Sequence, residues 1–213
     1  FVSGELFGSN YQRIMAMKSH PWYGLLKLVY WTGACLVGYV LIPCVYLKTK
    51  GVSLSAQHLS IVGTWTHRKM YLALSLIMLP PVVLVSFEPS YQHIYPFYKN
   101  AGRSWMDFLC WEALYLSQFV ALEFFFRGFM LARLRAWAGH GAVFIMIIPY
   151  CMIHFPKTWS ESVGAVIAGI VLGALALRGR SIWGGAFLHC CVALTMDILS
   201  LYHSKKLLNL FGG

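Results

Sequence analysis

The chain has 213 residues, of which 59% are hydrophobic and only 11% are charged, and its formal net charge is +10. Soluble domains carry about 45–50% apolar and about 25% charged residues, so this composition excludes an ordinary soluble fold and indicates a lipid-exposed one. The seventeen lysines and arginines are spread among the gaps between apolar runs. This distribution is typical of loops beside a membrane, so we expect membrane lipids as partners and no nucleic acid.

Apolar runs of spanning length follow one another along the chain, since a membrane helix needs about 20 residues. Pro80 and Pro81 should kink or break the second run, because each proline removes a backbone donor. Residues 88–104 are expected to form a loop. The predicted spans are 22–47, 70–87, 105–134, 142–155, 162–177 and 182–202. The sequence thus predicts an all-α polytopic transmembrane helix bundle, with about six to eight membrane helices around a polar intramembrane cavity, in one domain over 1–213.

The loops fall into two groups. The basic loops 48–69, 133–135 and 178–180 are separated by two spans each time, which puts them on one side of the membrane, predicted to be cytoplasmic. The loops 88–104 and 156–161 then lie on the other side. We expect an integral multi-pass protein of the bacterial inner (plasma) membrane.

The fifth span carries three small residues, Ala165, Gly169 and Gly173, at a spacing of four. Small residues at that spacing lie on one helix face and let a neighbouring helix approach closely. We therefore expect a close helix contact on this face. The sequence leaves open whether the neighbour belongs to the same chain or to a second copy.

Ionisable side chains inside the predicted spans are costly in lipid, so each is a candidate for function. They are Asp107, Glu112, Glu123, Arg127, His154, His189 and Asp197. At 1.5 Å per residue, Glu123 lies about 15 Å, His154 about 20 Å and His189 about 12 Å from the cytoplasmic ends of their spans. Three side chains capable of chemistry, on three helices, are thus expected at similar depth.

Glu123 and Arg127 are four residues apart with the acid first, which is the favourable order for an ion pair on a helix. Arg127 is expected to keep Glu123 ionised, although the pair could equally serve only as a contact that stabilises the helix. Three further polar residues are auxiliary candidates: Tyr150, Asp197 and Glu112.

A glutamate and two histidines below the membrane surface fit hydrolysis. The carboxylate can activate a water as general base, and the imidazoles can orient it and stabilise the oxyanion. The same groups could hold a metal through two histidines and a carboxylate. The sequence contains no HExxH motif and no G-x-S-x-G turn, so neither a zincin-like site nor a serine hydrolase is supported. We expect no metal and no cofactor, with zinc as the alternative.

Three motifs resemble those of the CPBP family, which contains the type II CAAX prenyl endopeptidases and bacteriocin-processing proteins. Leu122–Phe129 resembles the family signature E-E-x-x-x-R-G. Tyr150-x-x-x-His154 resembles its second motif, F-x-x-x-H, and the run ending at His189 resembles the start of its third, H-x-x-x-N. The resemblance covers roughly 105–200, whereas 1–104 resemble only generic membrane helices and loops.

The resemblance implies a bundle of about eight transmembrane helices with a conical cavity open to one side, and cleavage of peptide bonds near the membrane surface by a glutamate-based mechanism. Carried over by position, it implies four catalytic residues: Glu123, Arg127, His154 and His189. It also implies a protein or peptide substrate, either lipidated or carrying a C-terminal sorting signal.

Two positions depart from the family pattern. The first glutamate of the signature falls on Leu122, and the asparagine of the third motif falls on Ala193, one turn before Asp197. These departures leave open a catalytically inactive membrane scaffold or chaperone on the same fold. A small proton-coupled transporter is a further alternative, but it would need inverted repeats or paired broken helices.

Overall fold

The computed structural model describes residues 22–211, and that part of the chain contains helices and no β-strand. The main helices are α1 Tyr23–Leu36, α2 Ile42–Thr49, α3 Ile61–Thr66, α4 Arg68–Val85, α5 Pro89–Ile94, α6 Trp105–Glu123, α7 Leu131–Ala138, α8 Ala142–Met152, α9 Trp159–Gly179 and α10 Trp183–His203. The π-helical turn Val37–Leu41 joins α1 to α2, and a second one, Phe124–Met130, joins α6 to α7. The predicted all-α fold is confirmed.

Five helical stretches of the described part are long and apolar enough to cross a membrane: Tyr23–Thr49, Arg68–Val85, Trp105–Met152, Trp159–Gly179 and Trp183–His203. The third stretch reverses at Gly139, where φ is +56°. The reversal brings the Tyr150 ring back to the Arg127 guanidinium, with 3.9 Å between the Arg127 Cζ and the ring centroid. The predicted polytopic bundle is confirmed, and the chain is an integral membrane protein.

Three local expectations differ from the structure. Helix α4 is continuous through Pro80 and Pro81, so the prolines do not break it. Residues 88–104 contain the short helix α5, which starts at Pro89. Proline has no backbone N–H, but the first N–H groups of a helix have no partner within the helix, so no hydrogen bond is lost there. Helix α8 ends at Met152 instead of 155 and rises only about 16 Å, about half of a bilayer core.

The two ends of the bundle are tied together by loop contacts. At one end Leu59 pairs with Ser181 in an isolated antiparallel bridge, which joins two of the basic loops. At the other end the Tyr95 hydroxyl donates to Glu161 Oε2 at 2.7 Å, which joins the loop after α4 to the start of α9. These contacts agree with the predicted grouping for the loops that they join, whereas the predicted basic loop 133–135 lies within helix α7. The cytoplasmic assignment stays a prediction.

The small-residue face of α9 packs directly on α8. An ideal Cβ at Gly169 would lie 3.2 Å from the side chains of Ile147 and Tyr150, and one at Gly173 would lie 3.0 Å from Val143. The predicted close approach is therefore confirmed, and the neighbour is a helix of the same chain. This contact fixes α8, which carries Tyr150.

The single domain predicted over 1–213 includes residues 1–21 and 212–213, which lie outside the described residues. That prediction, and the division into 1–104 and a core over 105–200, stay predictions.

Candidate active site

The site begins with a buried ion pair at the end of α6. Glu123 Oε1 lies 2.9 Å from Arg127 Nη1, and both residues have 0% exposure. An isolated charge would be expensive in this apolar interior, whereas the pair is neutral as a whole. Glu123 and Arg127, four residues apart, therefore form the ion pair that their spacing in the sequence predicts.

His189 of α10 binds the same carboxylate oxygen. Its Nδ1 lies 2.8 Å from Glu123 Oε1. A carboxylate oxygen can only accept, so this short contact favours the tautomer with the hydrogen on Nδ1. The other ring nitrogen, Nε2, lies 3.1 Å from the Tyr150 hydroxyl. In the neutral imidazole, Nε2 therefore accepts from that hydroxyl.

Tyr150 connects the ion pair with both histidines. Its ring lies under the Arg127 guanidinium, a cation–π contact at 3.9 Å, and its hydroxyl reaches His189. It is almost completely buried, between Phe126 and His154. A residue that the sequence presented only as an auxiliary candidate thus lies at the centre of the cluster.

His154 lies in the turn that follows α8, one turn after Tyr150. Its ring centroid is 5.0 Å from that of Tyr150, and its Nδ1 lies 3.1 Å from the Tyr150 carbonyl oxygen. Because a carbonyl only accepts, Nδ1 carries the hydrogen and Nε2 keeps a free lone pair. Burial, with the charge of Lys157 as the next cause, lowers the pKa of His154 to about 4. The ring is therefore neutral near pH 7.

The four polar side chains differ in access. Glu123 and Arg127 are sealed inside the protein, whereas the His189 side chain keeps 14% exposure and His154 is half-buried. The two imidazoles are therefore the groups of this cluster that an incoming molecule can touch. The carboxylate lies behind them.

Gly185, one turn before His189, is a site residue that the sequence reasoning missed. An ideal Cβ at this position would lie 2.5 Å from Glu123 Oε2, so a side chain here would displace the carboxylate. Two adjacent glycines, Gly184 and Gly185, at the start of an apolar helix carry no signal of this kind. Only the helix contact reveals it.

Glu112 and Asp197 form a second buried pair away from this cluster. Their carboxyl groups interact with each other, and the Trp111 indole Nε1 donates to Asp197 Oδ2. Asp197 lies eight residues after His189, or about 12 Å along the helix. The structure therefore does not bring these two auxiliary candidates to the site.

Apolar packing occupies both positions that depart from the family pattern. Leu122 packs against the buried cluster that contains Phe126 and Tyr150. Ala193 is buried in the aromatic cluster that contains Trp111 and Tyr115. Each of these side chains therefore makes apolar contacts at a position where the family pattern has a polar residue.

Within residues 22–211, no three or more His, Cys, Asp or Glu side chains are arranged to hold a metal ion. The reason is visible in the contacts at Glu123 Oε1, which Arg127 and the His189 Nδ1 already occupy.

Residues 104–195 match the family model described as type II CAAX prenyl endopeptidase Rce1-like. We call residues 104–195 the Rce1-like segment. The predicted resemblance to the CPBP family is thereby confirmed, and at the family level the match supports a CAAX-protease-like membrane endopeptidase. The Rce1-like segment contains the whole cluster from Glu123 to His189 and ends before Asp197. Neither the curated proteins nor the solved structures gave a match.

Proposed function

We propose that the chain is an intramembrane endopeptidase that hydrolyses a peptide bond near the membrane surface with a water activated by Glu123 through His189. The observation that carries the proposal is the shared oxygen Glu123 Oε1, which binds both Arg127 and the His189 Nδ1. The opposite nitrogen, Nε2, lies 3.1 Å from the Tyr150 hydroxyl, and the His189 side chain keeps 14% exposure.

Glu123 and His189 act as one unit in this proposal. The carboxylate holds the hydrogen on Nδ1, so Nε2 has the lone pair, which accepts from the Tyr150 hydroxyl at rest. It can take a proton from a water that replaces this hydroxyl. The imidazolium that forms is stabilised by the adjacent carboxylate, and it gives its proton to the leaving amine nitrogen when the C–N bond of the tetrahedral intermediate breaks. The sequence led us to expect that Glu123 touches the water itself, but its complete burial favours action through the imidazole.

His154 and Tyr150 complete the reaction. The free Nε2 of neutral His154 can accept a hydrogen bond from the attacking water and orient it. The protonated His189 Nε2 can then donate to the oxyanion of the tetrahedral intermediate, while the buried Tyr150 hydroxyl keeps the resting imidazole in place. Arg127 keeps the buried carboxylate ionised throughout.

The proposed substrate is a protein or peptide with its scissile bond near the membrane surface. Two forms fit a site of this class: a lipidated tail and a C-terminal sorting signal. We place the reaction in the bacterial inner membrane.

A catalytically inactive scaffold is the second candidate, because apolar side chains fill the positions of Leu122 and Ala193. It predicts that binding of membrane proteins is independent of the cluster.

Labelling of protein N-termini in membranes tests both candidates. Membranes with the wild type are compared with membranes that contain His189→Ala, and His93→Ala on the exposed surface of α5 serves as control. The endopeptidase predicts termini that form with the wild type and His93→Ala but not with His189→Ala. We call these the wild-type-dependent termini. Identical termini in all three membranes would favour the scaffold.

A further inference from the structure

The loop between α2 and α3 reaches the ion pair from outside the Rce1-like segment. His58, in this loop, is 5% exposed, and its Nδ1 lies 2.7 Å from the backbone oxygen of Arg127. The carbonyl can only accept, so His58 Nδ1 donates. A histidine far from the three motifs thus holds the backbone of the arginine that pairs with Glu123.

The bond falls on an irregular part of the helix. Arg127 lies in the π-helical turn Phe124–Met130, which interrupts the regular ladder between α6 and α7. Such turns are frequent at functional sites, and their backbone groups depend on partners from outside the regular helix. His58 supplies such an outside donor to the backbone oxygen of Arg127, whose side chain pairs with Glu123.

Gly128 makes the contact sterically feasible. An ideal Cβ at this position would lie 2.9 Å from the Gln57 backbone oxygen, so the loop rests directly on the helix backbone. This gives a physical reason for the glycine after the arginine in the first motif. Arg127 thus supplies the guanidinium that pairs with the Glu123 carboxylate. Gly128 leaves the space that the loop at Gln57 occupies.

His58 also contacts the helix that carries His189. Its backbone oxygen accepts from the Ile182 N–H at 2.8 Å, directly before the start of α10. His58 itself has a φ of +57°, in the left-handed region that ordinary side chains avoid. The strained backbone lets one residue hold Arg127 with its side chain and α10 with its main chain.

We propose that His58 is a positioning residue of the site, which fixes the π-helical turn so that the Arg127 guanidinium meets Glu123 while α10 stays in register. The inference rests on the proposed function. Burial lowers the pKa of His58 and outweighs the hydrogen bond to Arg127 O, which raises it. The charges of Arg133, Arg135 and Arg180 lower it further, so the ring is a neutral donor near pH 7.

Two substitutions separate the hydrogen bond from the backbone conformation. His58→Asn keeps a donor near the position of Nδ1 and tolerates the left-handed region. His58→Gly accepts this region without strain but has no donor. A matched control is His67→Asn, since His67 bonds a carbonyl of its own helix turn, Gly63 O at 2.9 Å, away from the site.

The first readout is the rate at which the wild-type-dependent termini form in membranes. Misplacement of a catalytic group by about 1 Å can cost up to about 100-fold, so we expect at least about a ten-fold loss for His58→Gly. His58→Asn should stay within about three-fold of the wild type, and His67→Asn should be unchanged. Wild-type rates with His58→Gly, or an equal loss with both His58 variants, would overturn the proposal.

The second readout needs no substrate. Hydrogen exchange of the backbone amides in 124–135 should be faster in His58→Gly than in the wild type and His58→Asn. Unchanged exchange in His58→Gly would overturn the role of His58 on its own. Absence of wild-type-dependent termini, by contrast, would remove the proposed function, so the two failures are distinguishable.

Discussion

Three neighbours make an ionised Glu123 tolerable in the apolar interior. Arg127 balances its charge, His189 donates to it, and the missing side chain of Gly185 gives it room. The accessible imidazoles thereby acquire a charged partner that no solvent reaches. The motif residues of this arrangement could be predicted from the sequence, because charged groups in apolar runs are conspicuous. The contribution of Gly185 could not, because it depends on the distance between two helices.

Gly185→Ala tests this packing. Its Cβ would lie 2.5 Å from Glu123 Oε2, so we expect the carboxylate to move and cleavage to fall. Overpacking of this kind costs about 1–3 kcal/mol, which thermal unfolding in detergent measures. Gly164→Ala on α9 is the matched control, since nothing lies within 4 Å of its ideal Cβ. If Gly185→Ala behaves like the control, the proposed crowding at the carboxylate is refuted.

The protonation of His154 predicts a pH dependence of stability. Burial lowers its pKa from the usual 6.5 to about 4, so in this range the unfolded chain binds the proton more readily than the folded protein. The contribution of His154 to the unfolding free energy is present above about pH 6.5 and is lost as the pH falls toward about 4. His154→Gln should remove this part of the pH dependence. Parallel curves for the two proteins between pH 7 and 4 would contradict it.

At the scale of elements, the site depends on where three helices end or change their geometry. Span positions followed from the length and hydropathy of the apolar runs. The π-helical turn Phe124–Met130 could not be predicted, because the contact on its backbone comes from a loop about 70 residues earlier in the chain. The early end of α8 also escaped prediction, since the residues up to His154 are apolar enough to continue a helix.

The contact between α8 and α9 predicts the effect of a larger residue. Gly169→Leu would force α8 away from α9, because even a Cβ at this position lies 3.2 Å from the Tyr150 ring. We expect loss of the wild-type-dependent termini together with a lower unfolding temperature. The control is Gly164→Leu on the same helix, whose environment is open. Equal effects of the two substitutions would show that the α8–α9 contact does not support the site.

At the scale of the whole molecule, the cluster draws on both parts of the chain. Helices α6, α8 and α10, with the turns that follow α6 and α8, supply the polar side chains. The loop before α3 contacts the turn after α6 and the start of α10 from outside the Rce1-like segment. The sequence showed the three motifs but gave no reason to connect the loop with them. It also left Glu112 and Asp197 as auxiliary candidates, because spacing along each helix does not show which helices face each other at that depth.

A metal-free mechanism makes a prediction for the purified protein. Because Glu123 Oε1 and His189 Nδ1 bind each other, we expect cleavage to survive treatment with a strong chelator and zinc to be below one equivalent. Elemental analysis and the rate of terminus formation measure this. Loss of cleavage that zinc restores would favour the zinc alternative.

The central claim is that the buried Glu123 carboxylate drives hydrolysis through His189. The direct measurement is the rate of formation of the wild-type-dependent termini with Glu123→Gln, in protein shown by thermal unfolding to be folded. The same rate is measured for the double variant Glu123→Gln/Arg127→Met, which leaves no unpaired charge in the bundle. General base catalysis contributes about 10²–10⁴-fold, so both variants should lose at least about 100-fold in rate. A folded Glu123→Gln variant that cleaves at the wild-type rate would contradict the claim.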